Sequence, residues 1–524
     1  MSLFALPSEL DAHIIAHCDF KSRLALCAVS IYWRTLAEPH LYPNLCFATD
    51  EHQRLRLLML TLLKRPGLAK YIKSFQVVPP IAAEKSDLNL NDTPFNGIVY
   101  VTKSNLEDDL VKEPIEEKAR RERRELEIRR ECRVLLPKIQ QIIESVWPHL
   151  HPRLVLGTWL GHMVESIHSL DYSLALIFTL ATNLEDLEIR VPSYSNIAQV
   201  YMLLQYHRTI EEVASGRAYP FCKLRNLVKW SANFPEDLIG RIISWIPLPV
   251  NVETYRLFDF HIDHFEYPVL KEDQTNPRLR LLEDNFYFPT ISQMSPGFTP
   301  TIRVLELSRC NVNTMCALEV LVSGYFRHLE VLRLNKLGLY TDQHIDDYID
   351  WPNFGCFLNK SLPKLRNLQL SICWIESVLG AIESPEDLGE PAGALKEIVN
   401  LNHLAMDLGL LIPSFASNAC DKFLELPTTM LLQRLHCFAI TNVNLEFLDL
   451  VEAEYTGAER RNVFGQLVTA LTHCYQFTVE TYQRPTDHTI ETLKLIGADL
   501  GKMGVELALW CQGDEEPNKN HRLI

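Results

Sequence analysis

One short pattern recurs along most of this chain and constrains its fold more than any other feature. The pattern begins with an apolar residue, usually leucine, continues with two residues of any kind, and ends on two apolar residues separated by one position. Apolar residues that alternate with polar ones predict a short strand with one buried face. The copy at Leu224 places its last apolar residue at Trp230. Copies of the pattern begin at Leu184, Leu224, Val252, Ile302, Leu329, Leu365, Leu401, Leu435 and Ile490.

The copies are separated by about 27 to about 50 residues, and apolar runs lie between them, for example at 174–180 and 315–325. The pattern resembles the strand signature of leucine-rich repeats, in which alternate side chains of short parallel strands enter a shared core. Cys310 and Cys373 stand where that family usually has a turn residue. The resemblance implies an α/β fold, a curved leucine-rich-repeat solenoid with irregular helical insertions, over residues 135–510. An ordinary α/β sheet with helical crossovers is the alternative, because alternation of strands and helices does not separate the two folds.

The first forty residues predict three short helices with an apolar surface. Pro7 and Glu9 suit the first turn of a helix. Ser22 can cap a second helix, and Val29 and Trp33 form the apolar edge of a third. The apolar stripe on the first helix consists of Leu10, Ile14, Ile15 and Cys18. Three helices of this size cannot enclose a core alone, so their apolar surface predicts a partner.

These residues resemble the F-box motif, whose Leu-Pro-x-Glu-Leu start matches 6–10 and whose Val-Ser-x-x-Trp end matches 29–33. The chain departs from the family's usual residues at Cys18, Phe20, Ser22, Arg23 and Ile31. The resemblance implies an N-terminal three-helix F-box, residues 1–47, that docks a Skp-type adaptor and, through it, a cullin ubiquitin ligase. It assigns adaptor binding, or its immediate support, to Leu6, Pro7, Leu10, Ile14, Ile15, Leu24, Val29 and Trp33. A generic amphipathic start to an unrelated domain is the alternative.

The segments between and after these motifs differ in composition. Residues 48–80 predict a first repeat-like helix and strand. Residues 81–134 form a charged insertion, partly disordered or helical, in which Glu125 and Arg129 have the spacing of a helical ion pair. Since its few apolar residues, Leu126 and Ile128 among them, make no continuous stripe, we interpret it as a solvated insertion; a partner-binding arm is the other interpretation. Residues 511–524 predict a flexible tail.

Charge and cysteine usage limit the partners and the compartment. The net charge of −15 argues against a nucleic-acid surface, which needs a basic face. The 13 cysteines have no C-x-x-C spacing, which suggests reduced thiols in a reducing compartment. Glu9 and Asp11 interrupt any early signal-like run, and the apolar run around Leu174–Leu184 is too short to span a bilayer. We therefore expect a cytoplasmic or nuclear protein with no nucleic-acid partner and no membrane contact.

The sequence offers little catalytic chemistry. It contains no phosphate-binding glycine-rich loop, no H-E-x-x-H and no G-x-S-x-G. His13 and His17 lie four apart on the first helix, and His261 and His264 flank Asp263, but solvated positions and a surface turn are the simpler interpretations. We expect no catalytic residue, no cofactor and no metal site.

The motifs together predict a substrate-recognition subunit of a cullin-type ubiquitin ligase, with the repeats binding an unknown protein target. Such a subunit performs no bond chemistry, because it acts by raising the local concentration of the target near the ubiquitin-loaded enzyme. A non-enzymatic leucine-rich-repeat scaffold that binds the adaptor without supporting ubiquitination is the alternative. An enzyme with an unrecognised active site is a third.

The candidate target site lies on the solvent face of the later strands, about residues 302–440. Because the apolar strand positions point inward in such an array, the residues between them face outward. The candidate target-binding residues are Arg303, Glu306, Glu330, Arg333, Arg366 and Gln369. Alignment of the copies predicts that Arg303, Glu330 and Arg366 share one position in successive strands. Glu306, Arg333 and Gln369 share another. A merely solvated sheet is the alternative.

Overall fold

The structure is a computed structural model of the chain. It describes residues 8–48, 51–78, 115–146, 170–191, 200, 220–231, 245–247, 252–258, 260–262, 264–266, 301–313, 326–340, 359–360, 362–374, 398, 400–411, 420–421, 423–424, 435–458, 460–471, 473–481, 483–512 and 520–522. These residues form a mixed α/β protein whose contacts divide it into two compact units. The first unit contains the described residues from Ser8 to Ser231, and the second contains those from Glu253 onwards.

Three short helices open the first unit and pack around a small core. They are α1 (Ser8–His17), α2 (Phe20–Val29) and α3 (Ile31–Ala37), followed by a 3-10 turn at Glu38–His40. The buried centre consists of Ile15, Trp33 and Ala37, with Leu26, Cys27 and Leu36 partly buried against it. The prediction of three helices at the start of the chain is confirmed.

Side-chain caps set the starts of the second and third helices. Oδ1 of Asp19 accepts a hydrogen bond of 2.6 Å from the backbone N–H of Ser22, which holds the pKa of that carboxyl below its usual value. Oγ of Ser30 accepts a hydrogen bond of 3.2 Å from the backbone N–H of Trp33. Asp19, and not Ser22, therefore caps α2, because that helix begins at Phe20 and Ser22 already lies in its first turn.

The guanidinium of Arg23 ties the three helices together. It donates hydrogen bonds to the backbone carbonyls of Ile15 (3.0 Å), Ala16 (2.8 Å) and His40 (2.9 Å). Two of these carbonyls belong to the last turn of α1, where carbonyl groups have no partner within the helix. Arg23, one of the departures from the F-box pattern, thus satisfies the end of α1 and joins it to the turn that follows α3.

The first unit continues with a parallel sheet and three further helices. The helices are α4 (His52–Lys64), α5 (Ile115–Val146) and α6 (Leu170–Leu180), with a 3-10 segment at Pro66–Tyr71. The strands are β1 (Asn44–Ala48), β2 (Ser74–Val78), β3 (Asp186–Val191) and β4 (Asn226–Ser231). Each strand pairs in parallel with the next. Two rows of side chains run across the sheet in register: Leu45, Phe75, Leu187 and Leu227, and then Phe47, Val77, Ile189 and Lys229.

Helix α5 packs against α4, although its sequence is dominated by charge. Ile128, Cys132 and Ile139 are buried on its inner face. Arg56 of α4 and Glu125 of α5 form a nearly buried ion pair between the two helices. The described part of the charged segment is therefore a packed helix rather than a solvated insertion. The helix also runs continuously through the boundary that the sequence placed between residues 134 and 135.

The second unit contains eight neighbouring parallel strands, β6, β9 and β11 to β16, within the described residues, and β17 pairs antiparallel with β16. The strands that follow β4 are β5 (Trp245–Pro247), β6 (Thr254–Phe258), β7 (His261–Ile262), β8 (His264–Glu266), β9 (Val304–Ser308), β10 (Asn311–Asn313), β11 (Val331–Tyr340), β12 (Asn367–Trp374), β13 (His403–Asp407), β14 (Cys437–Val443), β15 (Gln476–Thr481), β16 (Glu506–Gln512) and β17 (Asn520–Arg522). The segment expected to be a flexible tail thus includes the end of β16 and all of β17.

The register of these strands follows the sequence pattern. Leu305, Leu332, Leu368 and Leu404 stand opposite one another in β9, β11, β12 and β13, as the aligned copies predict. The same row continues through Phe438, Phe477 and Leu507. The prediction that these copies form neighbouring parallel strands is confirmed.

The strands also begin in the same way. The backbone carbonyl of Arg303 accepts hydrogen bonds from two successive N–H groups of the next strand, those of Glu330 (2.8 Å) and Val331 (3.0 Å). Other backbone carbonyls each accept hydrogen bonds from two successive N–H groups of the next strand in the same way, namely those of Pro43, Lys73, Glu185, Glu253, Glu330, Arg366, Asn402 and His436. Just after β9, the buried thiol of Cys310 donates to the carbonyls of Leu257 and Ser308, both at 3.5 Å. Cys373, also expected at a turn, lies within β12.

Four helices are described in the second unit: α7 (Leu408–Leu411), α8 (Leu445–Thr456), α9 (Val463–Ala470) and α10 (Asp487–Lys502). The pattern copy at Ile490 lies in α10, so its assignment as a strand is wrong. Thr486 caps this helix by accepting a hydrogen bond from the Thr489 N–H (3.1 Å). Ile490, Leu493, Ile496 and Leu500 then follow at helical spacing and are buried. The parallel ladder instead uses β15 and β16 on either side of it.

No helix in the described part of the chain combines the length and the apolar character needed to cross a bilayer. The apolar run around residues 315–325, expected to be helical, lies outside the described residues.

Candidate functional site

The three N-terminal helices expose large apolar side chains that a folded protein usually buries. Leu10 and Ile14 of α1 are 49% and 46% exposed, and Leu24 and Val29 of α2 are 55% and 65% exposed. All four were assigned to adaptor binding from the sequence. Leu10 and Ile14 lie four apart and so share one side of α1, and exposed apolar side chains that lie together are typical of a surface that binds another protein.

Three further side chains belong to the same exposed set and were missed as binding residues. They are Phe20, Ile31 and Tyr32, which are 60%, 80% and 44% exposed. Phe20 stands four residues before Leu24, a helical spacing that the sequence already contained. We call these seven residues the apolar face: Leu10, Ile14, Phe20, Leu24, Val29, Ile31 and Tyr32.

The other sequence-assigned residues have a different place. Ile15 is fully buried and Trp33 is 6% exposed, so both form the core that supports the apolar face. Leu6 and Pro7 lie outside the described residues. The structure therefore divides the assigned set into exposed residues and supporting residues, a division that helical periodicity alone did not make.

A polar contact crosses the same helices. The Tyr32 hydroxyl donates a hydrogen bond of 2.7 Å to Oδ2 of Asp11, whose side chain is 2% exposed. This hydrogen bond, together with burial, raises the pKa of the Tyr32 phenol, so the hydroxyl stays protonated and remains a donor. The Tyr32 ring also contacts the Trp33 ring edge to face, with centroids 5.3 Å apart. Tyr32 is thus held in one orientation at the apolar face.

Two histidines of α1 lie side by side. His13 and His17 contact each other edge to face, with ring centroids 4.9 Å apart. Among the described residues, no group of three or more His, Cys, Asp or Glu side chains is arranged to hold a metal ion.

The candidate target-binding residues fall into the two rows that the sequence predicts. Arg333 stands opposite Glu306 in β9 and Gln369 in β12. The residues before each strand form the other row, since the carbonyl of Arg303 binds the N–H of Glu330 and that of Glu330 binds the N–H of Arg366. The structure therefore places all six residues on, or immediately before, three adjacent strands.

Several of these charges are already paired within the sheet. The Glu306 carboxylate lies 3.4 Å from the guanidinium of Arg333 and 3.4 Å from that of Arg256, its neighbour in β6. A longer pair joins Arg303 to Glu330 at 3.9 Å. Arg303 and Arg366 are exposed, whereas the Glu306 side chain is mostly buried. Arg303 and Arg366 are therefore the more accessible cations of the set.

The row of strand positions that contains Gln369 has uncharged residues in the strands that follow β12. It continues through Ala405, Ala439, Thr478 and Ala508 in the next four strands. His403 and His436 border this uncharged part, and burial together with the neighbouring His436 lowers the pKa of the His403 imidazole. This shift favours the neutral form of the His403 imidazole.

Strand β4 contains an inward lysine that the sequence pattern concealed. Lys229 pairs in register with Ile189 and is 1% exposed, whereas Trp230 points to the other face and stacks with Arg190 at 4.5 Å. The choice of Trp230 as the inward residue is therefore wrong, because strict alternation from Leu227 selects Lys229. Burial lowers the pKa of the Lys229 ammonium to about 7.

The sequence matches no protein-family model, and no curated protein is significantly similar to it.

Proposed function

We propose that this chain is the substrate-recognition subunit of a cullin-type ubiquitin ligase, acting in the cytoplasm or nucleus. Its first three helices are an F-box that docks a Skp-type adaptor. Its parallel strands line the concave side of a curved leucine-rich-repeat solenoid that holds a protein target for ubiquitination. The chain itself contributes proximity and orientation to the reaction, and the enzyme that bears ubiquitin contributes the chemistry.

The exposed apolar face carries the proposal. Four residues that the F-box resemblance assigns to the adaptor, Leu10, Ile14, Leu24 and Val29, are between 46% and 65% exposed. Burying the exposed half of one such side chain contributes about 1 kcal/mol. A partner that covers all seven residues of the apolar face would therefore gain enough free energy to offset a substantial part of the cost of association.

The repeated strand geometry supports the solenoid. Strands of successive copies are parallel neighbours, hold their leucines in register, and share one hydrogen-bonded entry turn. A repeated supersecondary unit that buries its apolar side only against its neighbours has these properties.

The target would lie on the outward rows of β9, β11 and β12. Arg303 and Arg366 supply accessible charge there, and Gln369 begins the uncharged part of the surface. Reversing Arg303 and Arg366 to Glu should therefore remove ubiquitination of a bound target while leaving adaptor binding intact. Arg333 is a poorer choice for this test, because reversing it would also break its pair with Glu306.

Reconstitution from purified components tests the proposal. The full chain, a Skp-type adaptor and a cullin should elute together as one complex, and the cullin should be lost when the adaptor is omitted. Failure of the adaptor to bind the folded chain would contradict the F-box assignment. Adaptor binding with the cullin excluded would contradict the ligase function and favour a scaffold that engages the adaptor alone.

A further inference from the structure

Helix α5 presents a second exposed surface, on the side opposite its contact with α4. The inner side is fixed by the Arg56–Glu125 pair, by a Lys64–Glu131 pair at 2.7 Å and by buried apolar residues. A helix held in this way along one side keeps its outer side in a constant orientation.

Five outer residues lie on one side of the described helix: the first four follow one another at separations of three or four, and the fifth is four residues after the third. They are Arg123, Leu126, Arg130, Arg133 and Val134, and we call them the arginine stripe. At about 100° per residue they share one side of the helix. Leu126 and Val134 are 64% and 73% exposed, and all three arginines are exposed. The stripe spans about 17 Å at a rise of 1.5 Å per residue.

The charge of the stripe contrasts with that of the chain. The chain carries a net charge of −15, yet the stripe contains three arginines, with exposed Glu127 beside them, four residues after Arg123. Within the described residues, none of these three guanidinium groups is in an ion pair, whereas Arg129 on the flank pairs with Glu125 at 3.3 Å. The stripe is thus a set of available cations interspersed with exposed aliphatic side chains.

We propose that the arginine stripe docks an acidic, amphipathic helix of a partner protein. Acidic residues at the same three-to-four spacing would face the arginines, because both helices repeat with the same period. Aliphatic residues of the partner between those acids would cover Leu126 and Val134. This surface is separate from the apolar face of the N-terminal helices, so the two partners can be tested independently.

A protein helix fits the stripe better than a nucleic acid does. Phosphates would gain nothing from Leu126 and Val134, two exposed large apolar residues of this helix. Exposed Glu127, four residues after Arg123 and three before Arg130, would lie next to a phosphate backbone and repel it. A protein partner can place a lysine or a polar residue opposite Glu127.

Fluorescence anisotropy on the full chain tests the proposal with a synthetic helical peptide. The peptide carries Glu at positions that match the three arginines and Leu between them; a second peptide has Lys in place of Glu, and a DNA duplex serves as a polyanion. The Glu peptide should bind, the Lys peptide should not, and added salt should weaken binding because it screens the charges. Binding of the duplex without binding of the Glu peptide would overturn the proposal in favour of a nucleic-acid surface.

Two variants locate the binding. Arg123→Glu, Arg130→Glu and Arg133→Glu together should weaken peptide binding about tenfold or more, since three attractive contacts become repulsive. Leu126→Ser with Val134→Ser should weaken it several-fold without changing net charge. The matched control reverses Lys223, Arg225 and Arg327, three exposed cations on other elements, and should bind as the parent does. Equal losses in the control and the stripe variant would show non-specific attraction and refute the docking surface.

Discussion

The hydroxyl of Tyr32 and the carboxylate of Asp11 are joined by a 2.7 Å hydrogen bond that links α3 to α1 beside exposed Leu10 and Ile14. Asp11 is almost fully buried, and its second oxygen, Oδ1, has no hydrogen-bond partner among the described residues. The hydrogen bond to Oδ2 therefore links α3 to α1 and holds Tyr32 in place at the apolar face.

Releasing Tyr32 should weaken adaptor binding, because an unrestrained ring loses more conformational freedom on docking. Tyr32→Phe keeps the ring and removes the hydrogen bond, so we expect a loss of affinity of about threefold to tenfold, within the range of one hydrogen bond. Asp11→Asn keeps an acceptor oxygen and should largely preserve affinity. Calorimetric titration of the adaptor into each variant measures both effects. Additive losses in Tyr32→Phe and Asp11→Ala, with no coupling in the double variant, would contradict the link.

Removing the Arg23 guanidinium should destabilise the N-terminal helices. Arg23→Leu removes three hydrogen bonds to backbone carbonyls and should cost about 1–3 kcal/mol. Arg23→Lys retains the charge but not the planar fork and should recover only part of the loss. Hydrogen exchange of the amides in α1 measures the local stability. Unchanged protection in Arg23→Leu would show that these carbonyls are satisfied in another way.

The Arg56–Glu125 pair should matter far more than the exposed pair beside it. Glu125→Ala leaves the Arg56 guanidinium nearly buried without its main partner and should cost about 3–5 kcal/mol. Glu131→Ala removes the half-exposed pair with Lys64 and should cost about 1 kcal/mol or less. Thermal unfolding of the two variants gives the comparison. Similar unfolding temperatures would contradict a stabilising contact between α5 and α4 and would favour the interpretation of α5 as a solvated insertion.

Lys229 should make stability depend on pH above neutrality. Its pKa is about 7 in the folded chain and about 10.4 in an unfolded one, so between these values the unfolded chain binds the extra proton. Stability from this group therefore rises with pH across that window and is at its lowest at or below pH 7. Lys229→Met should stabilise the chain at pH 7, by at most about 4–5 kcal/mol, and this advantage should shrink towards pH 10. An advantage of the same size at both pH values would refute a depressed pKa.

The parts of the fold that sequence predicted depend on local alternation. The leucines at 305, 332, 368 and 404 mark strands because each copy buries its own alternate residues, and the register follows from aligning the copies. The same reasoning failed at Ile490, where spacing of three also suits a helix and the Thr486 cap decided between them. The pattern also selected Trp230 instead of Lys229 as the inward residue of β4, because a charged residue was not expected at an inward position.

The features that the sequence did not predict depend on contacts between residues that are far apart in the chain. Helix α5 looked solvated because its inner face includes Glu125, whose partner Arg56 is 69 residues away in the sequence. For the candidate site, the sequence supplied Leu10, Ile14, Leu24 and Val29 as binding residues. It did not separate them from buried Ile15 and Trp33, since helical spacing fixes the direction of a side chain but not which neighbour covers it.

The central claim is that the apolar face docks a Skp-type adaptor, and the affinity of the adaptor for Leu10→Ala with Ile14→Ala tests it most directly. Both residues are about half exposed, so their truncation should leave the core of Ile15 and Trp33 intact. The matched control, Leu495→Ala with Met503→Ala, removes two side chains of similar exposure from the second unit. The account predicts tight binding by the parent and the control, and a loss of about tenfold or more in the Leu10 and Ile14 variant. Equal affinity of all three folded proteins, or no binding by the parent, would contradict it.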